Sequence, residues 1–110
     1  MLKTYIIVRG DLSKSQQAVQ AGHALAELVL TYGQYVADDD DFLKWIEQDK
    51  TLIILKTHNK EHFDFIYNKI LNENLKYKIF KEPDLNNEIT AIAIYPQLSK
   101  PLCLNELALT

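Results

Sequence analysis

Three short runs constrain this chain most, because each is apolar on both of its faces: Thr4-Tyr5-Ile6-Ile7-Val8-Arg9, Thr51-Leu52-Ile53-Ile54-Leu55-Lys56 and the stretch Ile89 to Tyr95. A strand with one wet face alternates apolar and polar residues. A strand apolar on both faces belongs in a sheet covered from above and below. A fourth run, Tyr77 to Lys81, carries more charge and reads as a strand nearer an edge. With the helical segments between these runs the element order is β-α-α-β-α-β-β. This predicts an α/β fold: one three-layer domain over residues 1–110, with a four-stranded mixed sheet and helices on both faces. Helical crossovers require some parallel pairing with right-handed connections. The last two strands flank the turn-rich loop Glu82-Pro83-Asp84-Leu85-Asn86-Asn87, and pair directly or sit apart.

The covering helices announce themselves by their caps. Ser13-x-x-Gln16 is a capping box, and a long helix should follow it. Ala18, Gly22, Leu25, Ala26, Val29, Gly33 and Val36 share one face at helical spacing, and Ala21, Ala24 and Leu28 add a second. The expectation is a helix buried around most of its circumference. Asp38 to Asp41 reads as a solvated turn and N-cap for a short helix with Phe42, Trp45 and Ile46. It lacks the interleaved ligands and sharp turn of a hard-cation loop. Asn59 caps a further helix with Phe63, Ile66, Ile70 and Leu71 on one face.

Composition narrows the function. The net charge is −3, so there is no overall basic excess. Nucleic-acid binding would need a local basic patch. Cys103 is the single cysteine, so no intrachain disulfide forms and a reducing compartment is expected. Met1-Leu2-Lys3 runs straight into a strand without a leader pattern, and no apolar run is long enough to cross a bilayer. A cytoplasmic protein without membrane contact is expected. His58 and His62 are four apart, but His58 precedes the helix and no third ligand accompanies them. No metal and no cofactor are expected.

The stretch with most chemical content is Val8-Arg9-Gly10-Asp11-Leu12-Ser13-Lys14-Ser15-Gln16-Gln17-Ala18-Val19-Gln20-Ala21-Gly22-His23-Ala24. A central strand ends in Arg-Gly-Asp-Leu and a loop leads into the long helix. Gln20 and His23 are neighbours on that helix surface. Open α/β sheets bind ligands beyond the carboxyl ends of their strands, where Arg9, Asp11 and the helix start would lie. Arg9 and Asp11 read equally well as a structural ion pair. His23 reads also as a histidine hydrogen-bonded inside the fold.

This stretch resembles the N-terminal signature of the archaeal/eukaryotic-type peptidyl-tRNA hydrolases, in which Arg-x-Asp-Leu is followed by a Gly/Lys-rich turn and then Ala-x-Ala-Gln-x-x-His-Ala. Arg9, Asp11, Leu12, Gln20, His23 and Ala24 match. Glu82 or Asp84 falls at the family's acidic position after the third strand, and Thr90 at the threonine that opens the last strand. The turn departs from the pattern: Ser13-Lys14-Ser15-Gln16-Gln17 is shorter, keeps Lys14 alone, and puts Gln16 or Gln17 where a functional lysine would align. The resemblance implies hydrolysis of the ester between a peptide, or a blocked aminoacyl group, and tRNA. It implies a catalytic set of His23, Lys14, Glu82 and Thr90, with Arg9, Asp11, Gln16 and Gln20 binding substrate. It implies tRNA as partner and a homodimer, for which Tyr32, Tyr35, Trp45 and the Leu-rich tail are candidate contacts. The alternative is a catalytically inactive descendant that binds RNA or protein.

Overall fold

The computed structural model describes residues 1–34 and 40–110. Tyr35, Val36, Asp38 and Asp39 lie outside the described residues, and with them the expected end of the long helix and most of the aspartate run.

The elements follow the expected order, with one addition. Strand β1 spans Lys3–Val8, helix α1 Lys14–Gly33, and helix α2 Asp40–Lys44, which continues as a wider turn over Trp45–Asp49. Strand β2 spans Thr51–Lys56, helix α3 Lys60–Asn72, β3 Tyr77–Glu82 and β4 Glu88–Ile94. A fifth strand, β5, covers Ala108–Leu109. Among the described residues the sheet therefore has five strands rather than four, in the order β3-β4-β1-β2-β5. The extra strand is two exposed residues paired with Leu55 and Lys56. So short and wet a segment has no periodicity to reveal it.

Strands β1 and β2 are parallel, from Lys3 opposite Thr51 to Val8 opposite Lys56. β4 runs antiparallel to β1 and to β3, so the last two long strands pair directly. β3 is an edge strand, as its charge predicts.

Each face of the sheet is covered. Ile6, Val8, Ala91 and Ala93 pack with Ala21, Ala24 and Leu28 of α1 and with Phe42 and Trp45. Tyr5, Ile7, Ile92 and Ile94 pack on the other side with Phe63, Ile66 and Ile70 of α3 and with Leu104. The alternation of β1 between these clusters explains why it is apolar throughout.

Three expectations need correction. Strand β2 is fully buried only at Leu55, with Leu52 39% exposed, because its outer neighbour β5 is two residues long and leaves the rest of β2 at the sheet edge. Helix α1 is buried along one side only, through Gln17, Gln20, Ala21, Ala24 and Leu28. Ala18, Gly22 and Ala26 are exposed, so the stripe they form faces outward. Small residues are compatible with either environment, and the core contacts of Leu28 and the hydrogen bonds of the two glutamines fix the rotation instead. Trp45 is 5% exposed and belongs to the core, with its indole N–H donating to the Thr51 carbonyl at 2.8 Å. It is not an interface residue.

Candidate active site

The site lies beyond the carboxyl ends of β1 and β3, which run in the same direction because each is antiparallel to β4, in keeping with the general rule for open α/β sheets. Its first component is the turn into α1. Gly10 passes so close to β2 that a Cβ there would sit 1.7 Å from the Thr57 carbonyl oxygen. Only glycine allows that approach. The capping box forms as the sequence predicts: the Gln16 N–H donates to Ser13 Oγ at 3.2 Å, and the Ser13 N–H donates to Gln16 Oε1 at 3.4 Å. Gln17 is buried, and its amide donates to the carbonyls of Leu12 at 2.8 Å and Gly10 at 3.4 Å. Thus Gln16 and Gln17 hold the loop and the helix start.

Arg9 ends β1 and is 6% exposed. Its guanidinium grips Asp11 with two hydrogen bonds, of 2.6 and 3.1 Å, and Glu88 with one of 2.7 Å. Lys60 at the start of α3 completes the group, 3.0 Å from Glu88. Hydrogen bonds from Arg9 hold the carboxyls of Asp11 and Glu88 below the usual carboxylate range, and Lys60 adds to the effect on Glu88. The same partners raise the Arg9 guanidinium further above its already high value. Arg9 and Asp11 are thus the ion pair that the sequence admits.

The second component joins α1 to the far edge of the sheet. Thr90 Oγ donates to Gln20 Oε1 at 2.5 Å, and Gln20 Nε2 donates to Glu82 Oε1 at 3.1 Å. Thr90 is fully buried and Gln20 nearly so. A break in register makes this possible. Phe80 pairs with Ala91 and Lys81 with Ile89, leaving Thr90 as an extra residue in β4. Such bulges re-aim a side chain, here toward α1.

Between these components opens a cleft of about 270 Å³ lined by Leu12, Ser15, Gln16, Val19, Gln20, Glu82, Asp84 and Leu85. Glu82 lies at its wall bound to Gln20, whereas Asp84 stands exposed on the loop. No lysine or arginine is among the lining residues.

The structure brings together Gln16, Gln20, Glu82 and, one bond behind them, Thr90. It sets Arg9 and Asp11 in the supporting ion pair. Lys14 is exposed and does not line this cleft; it lines a separate groove with Gln17, Ala18, Ile54 and Thr110. His23 is exposed and stacks on Phe80, with centroids 4.3 Å apart and an interplanar angle of 11°. Sequence reasoning missed Glu88 and Phe80. Antiparallel pairing of β4 beside β1 brings Glu88 to Arg9, and no local pattern announces that pairing. His58 and His62 stack on each other, and the His58 N–H donates to His62 Nδ1 at 2.9 Å. Among the described residues no group of three metal-ligating side chains occurs, and no helix is long and apolar enough to cross a membrane.

A search of curated proteins returns no match. The family model described as peptidyl-tRNA hydrolase PTH2 matches residues 2–103, which includes both components of the cleft and every strand but β5. With that match over nearly the whole length, the chain belongs to the peptidyl-tRNA hydrolase PTH2 family.

Proposed function

We propose that this protein hydrolyses the ester between a peptide, or an N-blocked aminoacyl group, and the terminal ribose of tRNA. The observation that carries the reading is the directed chain Thr90→Gln20→Glu82 at the wall of the cleft. The Glu82 carboxylate only accepts, so it fixes which end of the Gln20 amide faces it and leaves the amide oxygen to the Thr90 hydroxyl. Gln20 therefore presents its N–H to Glu82 and occupies one carboxylate oxygen. The second oxygen is left for a water.

In this reading Glu82 takes a proton as the water oxygen attacks the ester carbonyl. The oxyanion that forms meets the helix start across the cleft. The Ser15 backbone N–H, in the first turn where intrahelical acceptors are lacking, and the Gln16 side-chain amide are the available donors. Collapse breaks the bond to the ribose oxygen, which takes the proton from Glu82. Peptide acid and free tRNA leave. Leu12, Val19 and Leu85 give the acyl side chain an apolar seat. Arg9, Asp11 and Gln17 hold the loop in place, and the reading assigns no step to Lys14. It needs neither metal nor cofactor, and it places the protein in the cytoplasm, where tRNA is acylated and used.

The family resemblance also supports a homodimer. Leu30, in the C-terminal half of α1 and away from the cleft, is 63% exposed. A two-fold contact at that end of the helix would cover it. Leu30→Glu should then shift the mass on a sizing column from dimer to monomer.

The test of activity is release of the acyl group from N-acetylaminoacyl-tRNA by wild type and Glu82→Gln. Wild-type turnover that falls about 10²–10⁴-fold in the variant supports the assignment of Glu82 as general base. That the described residues lining the cleft include no lysine or arginine favours one other reading, a catalytically silent descendant that binds RNA or protein. No release at high enzyme concentration would select it.

A further inference from the structure

The proposed reaction leaves His23 unused, together with a concentration of positive charge at the sheet edge. The segment Leu75-Lys76-Tyr77-Lys78-Ile79-Phe80-Lys81 carries three lysines and no acidic residue, in a chain that is acidic overall. We propose that the His23–Phe80 stack and the β3 lysines Lys78 and Lys76 form the seat for the unpaired 3′ end of the RNA substrate. The terminal base stacks on the outer face of His23, and the lysines hold the phosphates behind it. The inference rests on the hydrolase reading only for the identity of the RNA.

The placement follows from register. Phe80 pairs with Ala91 and Lys78 with Ala93, and both alanines face α1. Lys76, Lys78 and Phe80 alternate along β3, so their side chains emerge on that same face. Lys76 is on it in fact, with its ammonium 4.9 Å from the Tyr95 ring centroid, and Tyr95 belongs to the α1-side cluster. Because β3 is the edge strand, this face runs out into solvent. His23 covers one face of the Phe80 ring, and its own outer face is exposed. Gln20 directs its amide to Glu82 and Thr90, which leaves the imidazole to Phe80 and solvent.

The seat adjoins the cleft on both elements. His23 is one helical turn beyond Gln20, and Phe80 is two residues before Glu82. A base on His23 would therefore sit within about 5–7 Å of the Gln20–Glu82 wall, the distance of one helical pitch or two strand residues. That is where the nucleotide bearing the ester must lie. Glu27, one turn further along α1, is exposed and repels phosphate, so the RNA strand runs along β3 and not down the helix. An aromatic platform flanked by lysines is the usual way to hold a single strand without reading its sequence. A duplex offers no free base face to such a platform.

The experiment is a fluorescence-anisotropy titration with two deacylated RNA hairpins, one ending in a short unpaired 3′ tail and one blunt. Acyl release from N-acetylaminoacyl-tRNA is followed in parallel. Wild type should prefer the tailed hairpin. His23→Ala should weaken that binding about 5- to 100-fold, the loss typical of one stacked base, and leave the blunt hairpin unaffected. His23→Phe, which keeps the ring and loses the ionisable nitrogens, should retain the preference. Lys78→Gln should flatten the salt dependence by about 0.7 in slope, one phosphate contact on a single strand.

No preference for the tail, or an equal loss for both hairpins, overturns the seat. So does loss of the preference in His23→Phe as well as His23→Ala, because a stacking role is then excluded. Acyl release by a wild type whose tail preference is absent refutes the seat and keeps the hydrolase. Tail binding that depends on His23 without acyl release keeps the seat and refutes the hydrolase.

Discussion

At the scale of single residues, the cleft depends on a buried amide. Gln20 has partners for both ends of its side chain, Thr90 at the oxygen and Glu82 at the nitrogen. Thr90→Val keeps the volume and removes the hydroxyl. The Gln20 oxygen is then buried without its donor, at a cost of about 1–3 kcal/mol. The urea midpoint should fall accordingly. Because the amide then keeps only its bond to Glu82 and is less firmly oriented, kcat should fall more than KM rises. Loss of stability with kcat unchanged would make the contact structural alone. Cys103 offers a contrasting case. Burial, with the nearby Glu73 charge next, pushes its thiol up to about 11. At pH 8 it remains protonated and unreactive. Iodoacetamide should therefore label the folded protein far more slowly than the urea-unfolded chain, and equal rates would contradict the burial.

At the scale of elements, the helix α1 start is the piece most exposed to a small change. Removing the Ser13 hydroxyl takes one half of the capping box away. Ser13→Ala should cost about 1 kcal/mol, read as a lower midpoint in thermal or urea unfolding. Gly10→Ala is more severe, because its methyl would meet the Thr57 backbone rather than a side chain that can swing aside. The cost should be about 3 kcal/mol or more, and poor yield of folded protein is the expected result. These local signals were legible in the sequence. Caps and turns are short-range, and strands buried on both faces leave no polar alternation to misread. The rotation of α1 was not legible. Ala18, Gly22 and Ala26 imitate a core face, while the true core-facing side includes two polar residues, Gln17 and Gln20. Those glutamines face inward because their partners come from the preceding loop, from β3 and from β4. Pairings such as Thr90 with Gln20 bridge chain positions that no periodicity connects. The family resemblance named Thr90 and Glu82, with Asp84 as the other acidic candidate, and put Gln20 among the substrate-binding residues; the bulge that turns Thr90 to Gln20 had no sequence signal. Lys14 illustrates a different case: the family resemblance suggested a catalytic place for it, and it lines a groove with Ile54 and Thr110 apart from the cleft.

At the scale of the whole molecule, one ionic network ties the layers together at the cleft end. Asp11 in the loop, Arg9 at the end of β1, Glu88 at the start of β4 and Lys60 at the start of α3 form a continuous chain of contacts. Arg9 is buried, and its two carboxylates are each more than a third exposed, so solvent screens what they contribute. The dependence on pH has a definite sign. Both carboxyls are held below their ordinary values, chiefly by hydrogen bonds from Arg9. The unfolded chain therefore takes up their protons near pH 4, before the native protein does. The network's stabilisation is complete above about pH 5 and disappears as the pH falls through the lowered native values. Asp11→Asn should isolate one arm of it. After screening, the difference from wild type should be about 1 kcal/mol at pH 7. It should narrow steadily below about pH 4 as the wild-type carboxylate is protonated. Urea midpoints of both proteins across this range measure that difference directly. A gap that stays constant from neutral to acid would mean that the asparagine disturbs the loop by its shape, and that the charge on Asp11 is not what binds the loop to the sheet.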